Sequence, residues 1–116
     1  MKTKEEFAVR RAEALRPTRE RDIESYLVKR VKAMGGEVRK VQWIGRRGAP
    51  DRCVMMPARE DFLPGSVIDP ETIWVELKAP GKKAESHQLR EHERMREMGQ
   101  RVEVIDSFAG VDELLS

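Results

Sequence analysis

Residues 72–77, TIWVEL, are the most strand-prone run in this chain of 116 residues, and together with the segments downstream they limit the fold more than any other feature. Their β-branched and aromatic side chains predict a strand, central in its sheet. A turn through Pro80-Gly81 comes next, and residues 86–98 then predict a helix that stops at Gly99. Residues 100–105, QRVEVI, predict another strand. A strand, a helix and a strand in that order imply a parallel pair joined by a right-handed crossover. The fold class is therefore α/β, a mixed β-sheet with helices packed on its faces.

The upstream sequence supplies the other elements. Residues 4–15 predict a short helix, with Phe7, Ala8, Arg11, Ala12 and Leu15 at helical spacing. Arg16-Pro17-Thr18 breaks it, and Thr18 can cap a second helix carrying Ile23, Tyr26, Leu27, Val31 and Met34 as a stripe. Gly35-Gly36 ends that helix. Residues 37–44, EVRKVQWI, predict a strand, GRRGAP at 45–50 a tight basic loop, and RCVMM at 52–56 a second strand. Residues 57–71 hold three prolines and a glycine, so an irregular connection is expected. Asp106 or Ser107 caps a last helix ending in Leu114 and Leu115. The order is α-α-β-β-β-α-β-α in a single domain over residues 1–116, with residues 1–17 a helical extension and 57–71 an insertion. Leu89, Met95 and Met98 are expected on the buried side of the third helix. Trp43 and Trp74 are expected in the core, and Cys53 as a small buried hydrophobe.

Hydrophobic residues make up 39% of the chain and charged ones 38%, which predicts a water-soluble domain. No stretch approaches the roughly 18 apolar residues of a membrane span, and the charged first residues lack the apolar core of a secretory signal. A cytoplasmic location is expected. One cysteine excludes an internal disulfide and a thiolate zinc site. The net charge of +2 says little, but its distribution says more. Lys29, Arg30, Lys32, Arg39, Lys40, Arg46, Arg47 and Arg52 face only Glu37 and Asp51 within residues 28–52. Residues 59–76 hold five acids (Glu60, Asp61, Asp69, Glu71 and Glu76) and one base. Basic and acidic stretches side by side suit a protein that attracts a polyanion and holds a cation, and equally two ordinary solvated faces.

Chemistry concentrates at Pro50-Asp51, at the start of one strand, and at Glu76-Leu77-Lys78, at the end of the next. Side chains alternate along a strand, so Glu76 and Lys78 share a face. If the two strands pair, Asp51 and Glu76 converge beside the ammonium of Lys78. Two carboxylates and the carbonyl of Leu77 suit Mg²⁺ or Mn²⁺, and such a cation with a nearby lysine suits phosphodiester hydrolysis. Arg46, Arg47 and Arg52 flank Asp51 and are candidate phosphate contacts, as are Lys40, Lys82 and Lys83. His87 and His92, five apart on a helix, are poorly placed to share a metal.

The segments GAPDRCVMMP (48–57), WVELKAPGKKAESHQLREHERMREMGQRVEVIDS (74–107) and ERDIESYLVKRVKAMGG (20–36) resemble the VRR-NUC domain, above all its compact bacteriophage versions. The resemblance covers residues 19–115. It implies a PD-(D/E)xK, restriction-endonuclease-like core and a nuclease dependent on Mg²⁺ or Mn²⁺. It further implies a homodimer acting on branched DNA such as Holliday junctions. The alternatives are a flap or nicking nuclease on the same site, or a module that binds junctions without cutting. By the same resemblance Asp51 and Glu76 are metal ligands, Lys78 is the catalytic lysine and Gln88 lies near the site. An acidic residue also comes from the opening helix. Glu24, nearer the edge of the apolar stripe, is preferred over Glu20, whose first-turn position suits a helix-dipole role. In one respect the chain departs from the family's shape. Compact members join the two catalytic strands by a short glycine turn, whereas this chain has an acidic insertion over 58–71.

Overall fold

The computed structural model describes Lys4 and residues 16–116, so the helix expected over residues 4–15 lies, but for Lys4, outside the described residues. The elements are α1 (Glu20–Ala33), β1 (Glu37–Lys40), β2 (Arg52–Met56), β3 (Arg59–Glu60), β4 (Val67–Ile68), β5 (Glu71–Leu77), α2 (Ser86–Glu97), β6 (Arg101–Ile105) and α3 (Phe108–Leu114). Strands β1, β2, β5 and β6 form one mixed sheet in that spatial order. The first two pairings are antiparallel and β5–β6 is parallel, as the crossover through α2 requires.

The sheet separates two packing layers. On one face Val54, Met56, Ile73, Val75, Leu77 and Ile105 pack with Ile23, Leu27 and Val31 of α1 and with Val111, Leu114 and Leu115 at α3. The two helices are tied together where the Tyr26 hydroxyl donates to Asp112 at 2.6 Å and the Tyr26 ring meets Phe108 edge-on at 5.1 Å. Ser107 caps α3 by accepting from the amide of Gly110. The other face carries α2.

Three expectations need correction. The strand over 37–44 ends at Lys40: its last bond to the partner is the Val41 amide donating to the Asp51 carbonyl at 2.9 Å, and the chain beyond it enters the loop that leads to Pro50. Trp43 therefore lies in the loop and not in a strand, and it is 37% exposed. Second, the buried side of α2 is Glu91, His92 and Met95, while Leu89 and Met98 face solvent. Third, the connection over 57–71 holds a short hairpin, β3–β4. Its turn is closed by Asp61, which accepts from the Phe62 amide at 2.7 Å and the Ser66 hydroxyl at 3.1 Å. This hairpin leaves the sheet at the end of β2 and the start of β5. The candidate site lies at the start of β2 and the end of β5, about 15 Å away along the strands. The insertion thus extends the hairpin at the far end.

Gly36, at the corner between α1 and β1, passes so close to β2 that a Cβ would lie 2.5 Å from the Met55 carbonyl oxygen and 2.9 Å from Val31 Cγ1. We predict that Gly36→Ala lowers the unfolding free energy by about 1–3 kcal/mol through overpacking. Urea titration is the check. An unchanged midpoint would show that the corner yields without cost.

Candidate active site

Pairing of β2 with β5 sets the site. Arg52 stands opposite Val75 and Cys53 opposite Trp74, so Asp51 falls opposite Glu76 in the same register, and residues directly opposite share a face. Lys78 follows Glu76 by two residues, and its amide continues the parallel ladder by donating to the Ile105 carbonyl at 2.9 Å. Its Nζ lies 3.6 Å from Glu76 Oε1, and both side chains are largely buried. The three residues that the sequence singled out are thus brought to one edge of the sheet.

Gln88 joins them from α2. Its amide nitrogen donates to Glu76 Oε1 at 2.9 Å, while its amide oxygen accepts from the Glu85 main chain at 2.8 Å. One side chain therefore caps the helix and orients the carboxylate. Burial pushes the Glu76 carboxyl above its ordinary range; Lys78 opposes the shift and the negative charge of Asp51 adds to it. Negative charge crowded in this way is what a bound cation would relieve.

Arg52, expected among the phosphate contacts, is turned inward, with its side chain 12% exposed. Its guanidinium bridges Asp51 Oδ1, at 2.9 Å, and the carboxylate of Glu24. Burial works against the Arg52 charge, but Glu24 and Asp51 outweigh it and its pKa is raised. Lys40 reaches the same Glu24 at 3.7 Å. Glu24 and Asp51 thus meet on the same guanidinium, and Glu20 is exposed on the first turn. Among the described residues no three His, Cys, Asp or Glu side chains gather as a metal-binding group. The carboxylates that do face one another are Asp51 and Glu76.

The basic loop is fixed to the rest of the site. The Trp43 indole donates to the Pro50 carbonyl at 2.8 Å and leans on Trp74, ring centroids 5.2 Å apart. Gly48, at φ +86°, lies against the first turn of α2, where a Cβ would meet the His87 carbonyl at 2.8 Å. Arg46 reaches the buried Glu91 at 3.3 Å, and Arg94 holds the same carboxylate at 2.9 Å. Arg47, Lys82 and Lys83 are exposed. A hollow of about 440 Å³ between β6 and α3 is lined by Arg101, Glu103, Asp106 and Glu113 among others and includes none of Asp51, Glu76 and Lys78.

Sequence periodicity did not single out Glu91 and His92. His92 is fully buried, and neither ring nitrogen meets a partner in hydrogen-bond geometry. Burial and the charge of Arg96 lower its pKa, which leaves the ring neutral. The signal was present: Gln88, Glu91, His92 and Met95 recur at helical spacing. Three of the four are polar, so a search for apolar periodicity passes over them. Cys53 is half-buried, and burial raises its thiol pKa, so it stays protonated.

The mixed sheet flanked by helices matches a known class of domain. A solved VRR-NUC domain superposes with a TM-score of 0.66 at 40% identity, covering 84% of this chain and 95% of that one. The p44 protein of Acyrthosiphon pisum secondary endosymbiont phage 1, described as an inferred nuclease, is 42% identical over 93 residues, or 80% of this chain and 88% of that protein. No family model matches the sequence. The chain belongs to the VRR-NUC family of nuclease domains.

A carboxyl whose folded pKa is raised favours folding in its protonated form, and that contribution is lost as pH rises through the raised value. In metal-free buffer, Glu76→Gln is therefore expected to melt above wild type at neutral pH, with the gap closing as pH falls below the usual glutamate range. A variant that melts lower at neutral pH would mean that the Lys78 ion pair outweighs the burial.

Proposed function

We propose that this chain is a metal-dependent deoxyribonuclease of the PD-(D/E)xK type, hydrolysing phosphodiester bonds in branched DNA, Holliday junctions foremost. The observation that carries this reading is the convergence of Asp51 and Glu76 across β2 and β5, with Lys78 Nζ 3.6 Å from the Glu76 carboxylate. The donor set fits Mg²⁺ or Mn²⁺: hard oxygens from two carboxylates, with the carbonyl of Leu77 as a third and water completing the shell. Gln88 and Lys78 both engage Oε1 of Glu76, so Oε2 would be the oxygen left to offer to a cation. A cation held there would supply stabilisation of charge growing on phosphorus and would make a bound water a better nucleophile. Lys78 orients that water or neutralises the scissile phosphate. Gln88 keeps the Glu76 carboxylate from rotating. Arg52 acts as a positioning residue, holding Asp51 to α1 through Glu24. Arg46, Arg47, Lys40, Lys82 and Lys83 supply phosphate contacts that carry no sequence information.

A homodimer supplies the two sites that symmetric incision of a four-way junction needs. Among the described residues no helix is long and apolar enough to cross a membrane, and the assigned place of action is the host cytoplasm.

End-labelled four-way junction, flap and linear duplex, each with Mg²⁺, Mn²⁺ or EDTA, test this reading. Symmetric junction cuts that require metal are expected, and Asp51→Ala and Lys78→Ala should each lower the rate by about a hundredfold or more. Cutting of flaps alone would keep the chemistry and replace the substrate. Junctions bound but never cut, by wild type and variants alike, would make this a binding module.

A further inference from the structure

We propose that the loop over residues 42–50 is a wedge that parts a base step beside the scissile phosphate, with Ile44 as the inserted side chain. The inference rests on the nuclease reading above and names how that site selects branched DNA. Ile44 is 96% exposed, in a loop that is otherwise held down. Val41 pairs with Asp51 at the loop's base, and the Trp43 indole is bonded to the Pro50 carbonyl. Beyond Ile44, Arg46 is drawn to Glu91 and Gly48 rests on the His87 main chain. With Trp43 and Arg46 both fixed, the two residues between them, Ile44 and Gly45, project, and a Cβ at Gly45 would meet nothing within 4 Å. The exposure therefore follows from how the loop is anchored.

The surroundings identify the occupant. Arg46 and Arg47 follow Ile44 closely, and Lys40 precedes it on the strand, so the apolar tip is set among cations suited to a phosphate backbone. Apolar side chains flanked by cations are the tools with which proteins unstack DNA. The other strongly exposed apolar tip, Phe62 and Leu63, lies among Glu60 and Asp61 at the opposite end of the strands, where a polyanion is repelled. Trp43 offers an aromatic edge at the base of the wedge for a displaced base. Its bond to the residue before Asp51 makes wedge and metal ligand one rigid unit, so the opened step adjoins the phosphate being cut. At a branch point stacking is already interrupted, and insertion is easiest there.

The test uses the full chain and a junction carrying 2-aminopurine at the base step next to the cut. In a Lys78→Ala background, binding is expected to raise the fluorescence, and adding Ile44→Ser should abolish the rise while Ile44→Leu keeps it. In the otherwise wild-type chain, Ile44→Ser should slow junction cutting by about tenfold, and two unpaired bases placed at the branch should restore the rate. Fluorescence unchanged by Ile44→Ser, in a protein that still cuts junctions, overturns the wedge and leaves the nuclease standing. Ile44→Ser that converts a dimer to monomer on sedimentation, with the fluorescence rise intact, assigns Ile44 to the subunit contact and also overturns it. A wild-type chain that cuts no DNA with either metal sinks the nuclease reading itself, and the wedge with it.

Discussion

Antiparallel pairing of β2 and β5 in one register decides which side chains of this domain can meet. With Arg52 opposite Val75, every second residue of both strands enters the apolar layer under α1 and α3, and the residues between them face α2. Val54, Met56, Ile73, Val75 and Leu77 fill the first layer. Asp51, Glu76 and Lys78 belong to the alternate set. A slip of one residue would put the carboxylates against Leu27 and the valines against Gln88. The apolar core therefore does more than stabilise the domain. It selects the register, and the register places two like charges side by side, an arrangement that the carboxylates alone would oppose.

That arrangement is held by polar groups that a core would ordinarily exclude. The face of α2 toward the sheet presents Gln88, Glu91 and His92 before it presents Met95. Gln88 and Glu91 meet polar partners, and His92 meets none in hydrogen-bond geometry. Gln88 orients Glu76, Glu91 draws in Arg46 and Arg94, and His92, neutral and fully buried, lies under the loop that carries Gly48. Buried polar side chains are costly unless satisfied, and here Gln88 fixes the carboxylate and Glu91 the loop, each to the same helix. Gly48 completes the contact by having no side chain where the His87 carbonyl passes.

The sheet was legible from the sequence because its strands are β-branched and the crossover through α2 admits one hand. Asp51, Glu76 and Lys78 were legible because strand alternation is a rigid rule. What was hidden depended on distant partners. Pairing of β1 stops after the Val41–Asp51 bond because QWI is drawn into the loop, where the Trp43 indole bonds the Pro50 carbonyl. The inward turn of Arg52 follows from Glu24, on a different element. The stripe of α2 was misread through Leu89 and Met98 because hydrophobicity marks burial only when the buried face is apolar. The hairpin in the insertion depends on Asp61 closing its own turn, which proline content alone concealed.

Arg52 shows how these levels join. It sits on the core side of β2 by alternation, where a charge is tolerated only beside a counter-charge. Glu24 supplies one from α1 and Asp51 another from the adjoining position. The helix that packs the core and the carboxylate assigned to the metal are thus linked through a single guanidinium. Loss of Arg52 would leave Glu24 with only Lys40 at 3.7 Å and Asp51 without its tether. The two carboxylates of the site also differ in character for this reason. Glu76 is buried and set by Gln88, whereas Asp51 is mostly exposed and held by the Arg52 guanidinium. Burial with two contacts at Glu76, against exposure with one ion pair at Asp51, makes Asp51 the less constrained of the two carboxylates.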